Sequence, residues 1–237
     1  RKIILLLVMV ILATVIFGCK KATPTVKPPK ADDIADNYRT FYQIFVGSFS
    51  DSNNDGIGDI RGIINRFDYL NDGDVNSGTD LGVQGIWLSP IFDSPSYHKY
   101  DVRDYYDVDP KYGTMSDLEE LIDECHKRGI KLIIDMVLNH SSSHNEMYDK
   151  SIEAHTKYLR NETLNAEEEK YKDFYKFYDS ESSIPAGVTA YDVGRGFYIE
   201  ANFDSGMPEF NCDSPYVRQE FKNILKFYLD KGIDGFR

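Results

Sequence analysis

The order of strand-like and helix-like segments is the feature that most constrains the fold of this chain. Four short apolar segments have the composition of buried strands, and they comprise residues 41–46, 83–88, 129–134 and 232–237. Between them, apolar residues recur at the spacing of one helix face, from Ile60 to Leu70, from Leu118 to Cys125 and from Val217 to Tyr228. Ser116 and Glu119 have capping-box spacing and predict the start of the second helix. Strands that alternate with helices form a parallel sheet, so the sequence predicts an α/β fold.

One connection in this alternation is much longer than an ordinary strand-to-helix loop. Residues 141–213 separate the third strand from the third helix, and they are rich in tyrosine and charge. Short strand-like pieces occur within them, such as Gly196–Ile199. We therefore expect an irregular subdomain inserted after the third strand.

Charge and cysteine usage limit the classes of partner. Of 237 residues, 39 are Asp or Glu and 27 are Lys or Arg, which gives a net charge of −12. Such an acidic chain is a poor ligand for nucleic acid or for an anionic membrane surface. Hydrophobic residues make up 41% of the chain, which is enough for a packed core and excludes a disordered protein. Cys19, Cys125 and Cys212 do not form the even set of a disulfide framework.

Residues 1–19 have the pattern of a secretory signal. Two basic residues precede an apolar run from Ile3 to Phe17, and this run is shorter than the roughly 20 residues that span a membrane. Residues 16–19 resemble a bacterial lipobox, in which the cysteine, here Cys19, becomes lipidated. We expect an extracytoplasmic lipoprotein that contacts the membrane only through Cys19; an uncleaved anchor or an ordinary secretion signal is the alternative. Residues 20–37 contain three prolines and predict a flexible tether.

A loop after the first strand has the spacing of a calcium-binding segment. Oxygen-bearing residues stand at every second position around a turn that contains glycine, and Ca²⁺ takes six to eight oxygen ligands. The oxygen-bearing side chains at this spacing are Asp51, Asn53, Asp55 and Asp59. A solvated turn without metal is the alternative, which the four regularly spaced ligands and the glycines disfavour. No helix precedes the loop, so it is not an EF-hand, and a bound Ca²⁺ would have a structural role.

Four motifs, taken in chain order, resemble those of the α-amylase superfamily, glycoside hydrolase family 13. Residues 94–101 resemble the family's Tyr-His-Gly-Tyr segment, residues 135–140 its first signature, residues 207–211 a short signature late in the insertion, and residues 235–237 the opening of its second signature. The first and second motifs follow predicted strands and the fourth ends one, and in barrels of parallel strands function collects at these strand ends. Lys99 replaces the usual glycine, and we expect it to narrow the cleft.

The resemblance implies a role for individual side chains. Tyr100 would stack on the sugar ring at the cleavage subsite, and His98 would hydrogen-bond nearby. His140 would bind the primary hydroxyl of the sugar, and Asp135 would hold an arginine. Arg237 would lie beside the nucleophile and keep that carboxylate ionised. Without the resemblance, these residues would be exposed loop residues or a buried polar cluster that closes a strand.

The resemblance also implies a fold, and a role for Asn139. The fold would be a (β/α)₈ TIM barrel of which about the first half is present, in residues 38–140 and 214–237. Residues 141–213 would form the inserted domain B. Asn139 would order this insertion, often through a second Ca²⁺ in the family. The loop at residues 51–59 also recurs in members of the family, where Asp51, Asn53, Asp55 and Asp59 would be side-chain ligands of the first Ca²⁺ and the Ile57 carbonyl another ligand.

The reaction that the resemblance implies is hydrolysis of α-1,4-glucosidic bonds in starch-type glucans by a monomer, with retention of configuration. The nucleophilic Asp would come two positions after Arg237, with the acidic Glu and a third Asp further on. No catalytic carboxylate is therefore expected within the 237 residues, which should be inactive by themselves. Other activities of the family are the alternatives: α-glucosidase, oligo-1,6-glucosidase or glucanotransferase. A non-catalytic homologue, such as a transporter heavy chain or a glucan-binding lipoprotein, is the alternative from another class.

Overall fold

The computed structural model describes residues 35–237; the predicted signal segment and most of the predicted tether lie outside them. The strands are β1 (Phe41–Ile44), β2 (Gly85–Leu88), β3 (Phe92–Asp93), β4 (Asp104–Val108), β5 (Lys131–Ile134), β6 (Phe177–Tyr178), β7 (Ala190–Asp192), β8 (Tyr198–Glu200) and β9 (Gly235–Phe236). The α-helices are α1 (Val46–Phe49), α2 (Ile60–Ile64), α3 (Phe67–Leu70), α4 (Met115–Lys127), α5 (Glu146–Leu159), α6 (Ala166–Tyr171) and α7 (Pro215–Lys231). Short 3-10 helices cover Asp36–Tyr38 and Glu181–Ser183.

The central sheet is parallel, and its strands lie in the order β1-β2-β5-β9. Gly85 of β2 pairs with Phe41 on one side and with Lys131 on the other. A Cβ atom at Gly85 would lie 2.5 Å from the Phe41 ring, so only glycine allows this ring to cover the strand. The predicted α/β fold is confirmed, and the sheet corresponds to the first four strands of a partial barrel.

The helices between these strands differ from the predicted ones in detail. The pattern from Ile60 to Leu70 forms two short helices, α2 and α3, instead of one. The predicted capping box at Ser116 and Glu119 is wrong. Helix α4 begins two residues earlier, because the Thr114 hydroxyl accepts a hydrogen bond from the Asp117 backbone N–H and the Asp117 carboxylate accepts one from the Thr114 N–H.

Residues 141–213 contain the irregular elements that the sequence predicts there. Helices α5 and α6 precede a small antiparallel sheet with the strand order β6-β8-β7. The core of the insertion is aromatic, and Tyr175 stacks on Phe210 with ring centroids 4.9 Å apart. The insertion also pairs directly with the end of the central sheet, because His140 forms an antiparallel bridge with Glu209. The insertion is thereby fixed at the carboxyl ends of the sheet strands.

Helix α7 returns the chain from the insertion to the sheet. Pro215 is in its first turn, and Gly232 ends it in the left-handed conformation with φ of +102°. The buried Tyr228 hydroxyl donates to the Tyr105 carbonyl oxygen at 2.9 Å, which ties the helix to β4. Among residues 35–237, no helix combines the length and apolar character that crossing a bilayer requires.

Candidate active site

Two polar residues meet where neighbouring strands end. Asp135 follows β5 and Arg237 follows β9, and the Arg237 N–H donates to the Ile134 carbonyl oxygen at 3.0 Å. The Arg237 Nη1 donates to both carboxylate oxygens of Asp135, at 3.2 and 3.0 Å. The Asp135 side chain is 3% exposed, so its charge is compensated mainly by this guanidinium. The resemblance predicts this pair, because in the family the residue at this position holds an arginine.

Tyr100 joins the pair from the loop after β3. Its hydroxyl donates to Asp135 Oδ2 at 2.8 Å, so three residues from separate segments form one hydrogen-bonded group. Burial, together with the neighbouring Asp135 carboxylate, raises the pKa of the Tyr100 hydroxyl. Tyr100 therefore stays a neutral donor at physiological pH, and its hydrogen bond sets the orientation of the ring.

His98 and Lys99 shape the loop that carries Tyr100. The half-exposed His98 accepts a hydrogen bond from the Tyr100 N–H at its Nδ1, at 3.1 Å. Lys99 has φ of +65°, and its ammonium forms a buried ion pair with Asp109 at 2.6 Å. The expectation that Lys99 narrows the cleft is wrong, because its side chain is buried and supports the loop from behind.

His140 lies at the start of the insertion and is 5% exposed. Its backbone carbonyl accepts a hydrogen bond from the Tyr105 hydroxyl at 2.8 Å, which fixes the turn after β5. Its Nδ1 faces the Asn139 amide at 3.3 Å, whereas its Nε2 has no hydrogen-bond partner among the described residues. Burial lowers the pKa of His140, with Glu209 and the Tyr100 backbone opposing the shift. A neutral imidazole with one buried and unpaired nitrogen can hydrogen-bond a ligand hydroxyl that displaces the atoms covering it.

Two aromatic residues at this edge of the sheet were not identified from the sequence. The Arg237 guanidinium lies 5.1 Å from the Trp87 ring centroid. This cation–π contact helps Asp135 to orient the guanidinium. Phe203, from the insertion, has its ring centroid 5.2 Å from that of His140 and is 72% exposed. Trp87 could have been found, because it is the only tryptophan and lies near the end of a predicted strand. Nothing in the sequence around Phe203 indicates that it reaches His140.

The predicted calcium loop is folded around its own backbone. Asp51 accepts hydrogen bonds from the N–H groups of Asn53, Asn54 and Gly56 at 2.7 to 3.0 Å, and the Gly56 contact in particular lowers its pKa. Asp59 caps α2 through the Gly62 N–H at 2.6 Å. Carboxylate and amide oxygens are the donors that Ca²⁺ prefers, so the chemistry of the loop fits the ion. Within residues 35–237, however, no group of three or more His, Cys, Asp or Glu side chains is close enough to hold a metal.

Comparison with known proteins gives a consistent result. The model of the family described as "Alpha amylase, catalytic domain" matches residues 43–237. Alpha-amylase 3 of Dictyoglomus thermophilum is 41% identical over 197 residues, which cover 83% of this chain and 35% of that protein. An oligo-1,6-glucosidase of Parageobacillus thermoglucosidasius is 39% identical over 206 residues, covering 83% of this chain and 33% of that protein. The chain thus spans about a third of the length of the curated relatives that it matches.

Solved structures show the same relationship. The crystal structure of an α-amylase from H. orenii superimposes with a TM-score of 0.71 at 40% sequence identity, over 86% of this chain and 40% of that one. Its fold therefore agrees with the parallel sheet and insertion described above. The matched family model and these similarities establish that the chain belongs to the α-amylase family of glycoside hydrolases, glycoside hydrolase family 13.

Proposed function

We propose that the protein hydrolyses α-1,4-glucosidic bonds in starch-type glucans with retention of anomeric configuration. The observation that carries this proposal is the hydrogen-bonded group of Tyr100, Asp135 and Arg237 at the strand ends, beside the free nitrogen of His140. Similarity to amylases and to oligo-1,6-glucosidases supports a glucan substrate.

Each residue of this group has a task that its chemistry supports. The Tyr100 ring offers a flat apolar face to a pyranose, and the hydrogen bond to Asp135 fixes its orientation. The Nε2 of His140 would bind a sugar hydroxyl. His98, in the loop that carries Tyr100, would hydrogen-bond nearby. Arg237 brings a positive charge to the strand end, which favours the ionised form of a carboxylate placed beside it.

The reaction itself needs two carboxyl groups in different protonation states. In the retaining mechanism, an Asp attacks the anomeric carbon while a Glu protonates the leaving oxygen, and water then releases the covalent glycosyl-enzyme. By the resemblance, this Asp would come two positions after Arg237, and the Glu further along the chain. The residues assigned within this chain would bind and orient the substrate. An oligo-1,6-glucosidase activity is the second candidate, because similar proteins with that name match equally long segments.

The variant His140→Ala tests the substrate-binding role in the full-length protein. We expect kcat/KM on maltoheptaose to fall about 10- to 100-fold, since about one hydrogen bond to the sugar is lost in the transition state. His144→Ala is the matched control, because His144 is an exposed histidine in the same segment, and it should leave kcat/KM unchanged. An unchanged kcat/KM in a folded His140→Ala protein would contradict the assignment.

We also propose that the loop from Asp51 to Asp59 holds a structural Ca²⁺. Asp51, Asn53, Asp55 and Asp59 would contribute side-chain oxygens and Ile57 its carbonyl oxygen. A bound ion would supply charge compensation for a loop whose three carboxylates lie within nine residues. The loop directly precedes α2, and α2 packs against α4. A bound ion would therefore act on stability rather than on catalysis.

The variant Asp55→Ala tests this metal site. We expect the melting temperature of the wild-type protein to fall when EDTA is added, and the melting temperature of Asp55→Ala to be lower and insensitive to EDTA. Asp68→Ala removes an exposed carboxylate from α3 and should keep the EDTA response. Equal melting temperatures of the wild type with and without EDTA would rule out the calcium assignment.

We further propose that the protein is an extracytoplasmic monomer anchored by a lipid at Cys19. The support for the anchor is the lipobox-like sequence, and Cys19 lies outside the described residues. Fatty-acid labelling that persists after Cys19→Ser would contradict the anchor.

A further inference from the structure

Two carboxylates are buried next to each other where the insertion meets the central sheet. Glu200 ends β8, and Glu209 forms the bridge with His140. Their side chains are 6% and 8% exposed. The Glu209 N–H donates to the Glu200 carbonyl oxygen at 2.8 Å, so the two residues are held side by side by the backbone. Neither carboxylate belongs to the Tyr100–Asp135–Arg237 group.

Buried carboxylates are costly unless a positive charge and hydrogen-bond donors compensate them. The Lys176 ammonium lies 3.2 Å from Glu200 Oε1 and 3.4 Å from Glu209 Oε2. The Asn202 amide donates to both carboxylates, at 2.9 and 2.8 Å, and the Tyr178 hydroxyl donates to Glu200 at 2.5 Å. The cluster therefore contains one cation and a set of neutral donors around two anions.

The backbone holds Lys176 in this place. Its N–H donates to the Glu209 carbonyl oxygen at 3.1 Å, and its own carbonyl oxygen accepts from the Glu200 N–H at 3.0 Å. The preceding residue, Tyr175, forms a bridge with Phe210. Lys176 is thus paired with both glutamates through main chain and side chain together. The paired backbone places the main chain of Lys176 beside both glutamates, and its side chain, which is 40% exposed, reaches the two carboxylates.

The same cluster occupies the place where a second Ca²⁺ is expected through Asn139. A hydrogen bond from the Asn139 side chain is among the contacts that lower the pKa of Glu209 against the effect of burial. The Asn139 carbonyl oxygen accepts from the Phe210 N–H at 3.0 Å, beside Glu209. A divalent ion bound between these carboxylates would be repelled by an ammonium already 3.2 and 3.4 Å from them. The residues present do not fit a metal as long as Lys176 keeps its position.

We propose that the Lys176 ammonium compensates the charge of Glu200 and Glu209 in the insertion and thereby takes the place of a second Ca²⁺. By holding Glu209, it also positions His140. His140 and Glu209 share a bridge, so a displaced Glu209 shifts the backbone that carries the imidazole. Lys176 is a positioning residue because it acts on the substrate site through Glu209. The inference does not depend on which glucan the site binds.

The test uses the full-length protein in an Asp55→Ala background, which removes any contribution from the loop at Asp51–Asp59. With Lys176 present, neither CaCl₂ nor EDTA should change the melting temperature. Lys176→Met keeps the aliphatic stem and removes the charge; it should lower the melting temperature and raise KM for maltoheptaose. Added Ca²⁺ should restore both values, because the cluster then consists of uncompensated oxygen ligands. A purely structural role for the lysine stem predicts no such rescue.

Two controls make the outcome decisive. Lys172→Met removes another lysine of the insertion, one that pairs with the exposed Glu169, and it should not create a response to Ca²⁺. If Lys176→Met does not fold, calorimetric titration of the Asp55→Ala protein with CaCl₂ still tests the proposal. The absence of binding supports it. Binding of one Ca²⁺ that is lost in Glu209→Gln would overturn it, as would a Lys176→Met protein that behaves like Lys172→Met.

Discussion

Lys99 shows how a single residue can have a role that its sequence position hides. The resemblance places it in a sugar-binding loop, between His98 and Tyr100, where a long side chain would be expected to enter the cleft. Its backbone instead adopts a left-handed conformation with φ of +65°, which directs the side chain inward to Asp109. The ammonium also donates to the Ser94 carbonyl oxygen at 3.2 Å. The loop is therefore held by a buried charge pair beneath it.

We expect Lys99→Met to destabilise the protein by about 3–5 kcal/mol, because it leaves the carboxylate of Asp109 buried without its cation. The free energy of unfolding in urea measures this effect. Lys111→Met, which replaces an exposed lysine nearby, should change that free energy little. Equal stability of the two variants would show that the ion pair contributes nothing to holding the loop.

Most individual site residues could be predicted because they follow strand ends in recognisable motifs. Asp135, Arg237 and Tyr100 were predicted in this way, and the structure joins them by hydrogen bonds. Phe203 could not be predicted, since its contact with His140 depends on how the insertion folds over the sheet. Contacts between an irregular insertion and a regular sheet have no periodicity that a sequence pattern could indicate.

At the scale of elements, the strands were easier to predict than the helix boundaries. Buried strands are short apolar runs, so β2 and β5 lie within the predicted segments. Helix starts depend on which side chain satisfies the first free N–H groups, and Thr114 does so instead of Ser116. The end of α4 is tied to the start of β9, because His126 Nε2 lies 2.9 Å from Asp234 Oδ2.

This contact between helix and strand predicts a pH dependence of stability. The hydrogen bond to Asp234 raises the pKa of His126 above its ordinary 6.5. A group whose pKa is raised by folding stabilises the protein fully below its unfolded pKa, and the stabilisation is lost as pH rises through the folded value. The melting temperature of wild type minus that of His126→Gln should therefore be largest near about pH 6 and shrink toward about pH 9. A difference that grows with pH would contradict the assignment.

At the scale of the whole molecule, the sheet and the insertion together form the site. Parallel strands bring Asp135 and Arg237 to one edge although 101 other residues separate them in the sequence. The insertion adds Phe203 and the Lys176 cluster to that edge. The central sheet has its strands in chain order, as in the barrel that the resemblance implies. The pairing of His140 with Glu209 is long-range and irregular, so it could be identified only from the structure.

The most direct test of the central claim is the action of the full-length protein on maltoheptaose and on isomaltose, with the anomeric configuration of the first product followed by NMR. Hydrolysis of α-1,4-linked maltoheptaose to products that first appear as the α-anomer is the predicted result. Isomaltose should be cleaved slowly or not at all. Cleavage of isomaltose alone would contradict the proposed specificity, and the absence of hydrolysis of either sugar would contradict the proposal that the protein is a glycoside hydrolase.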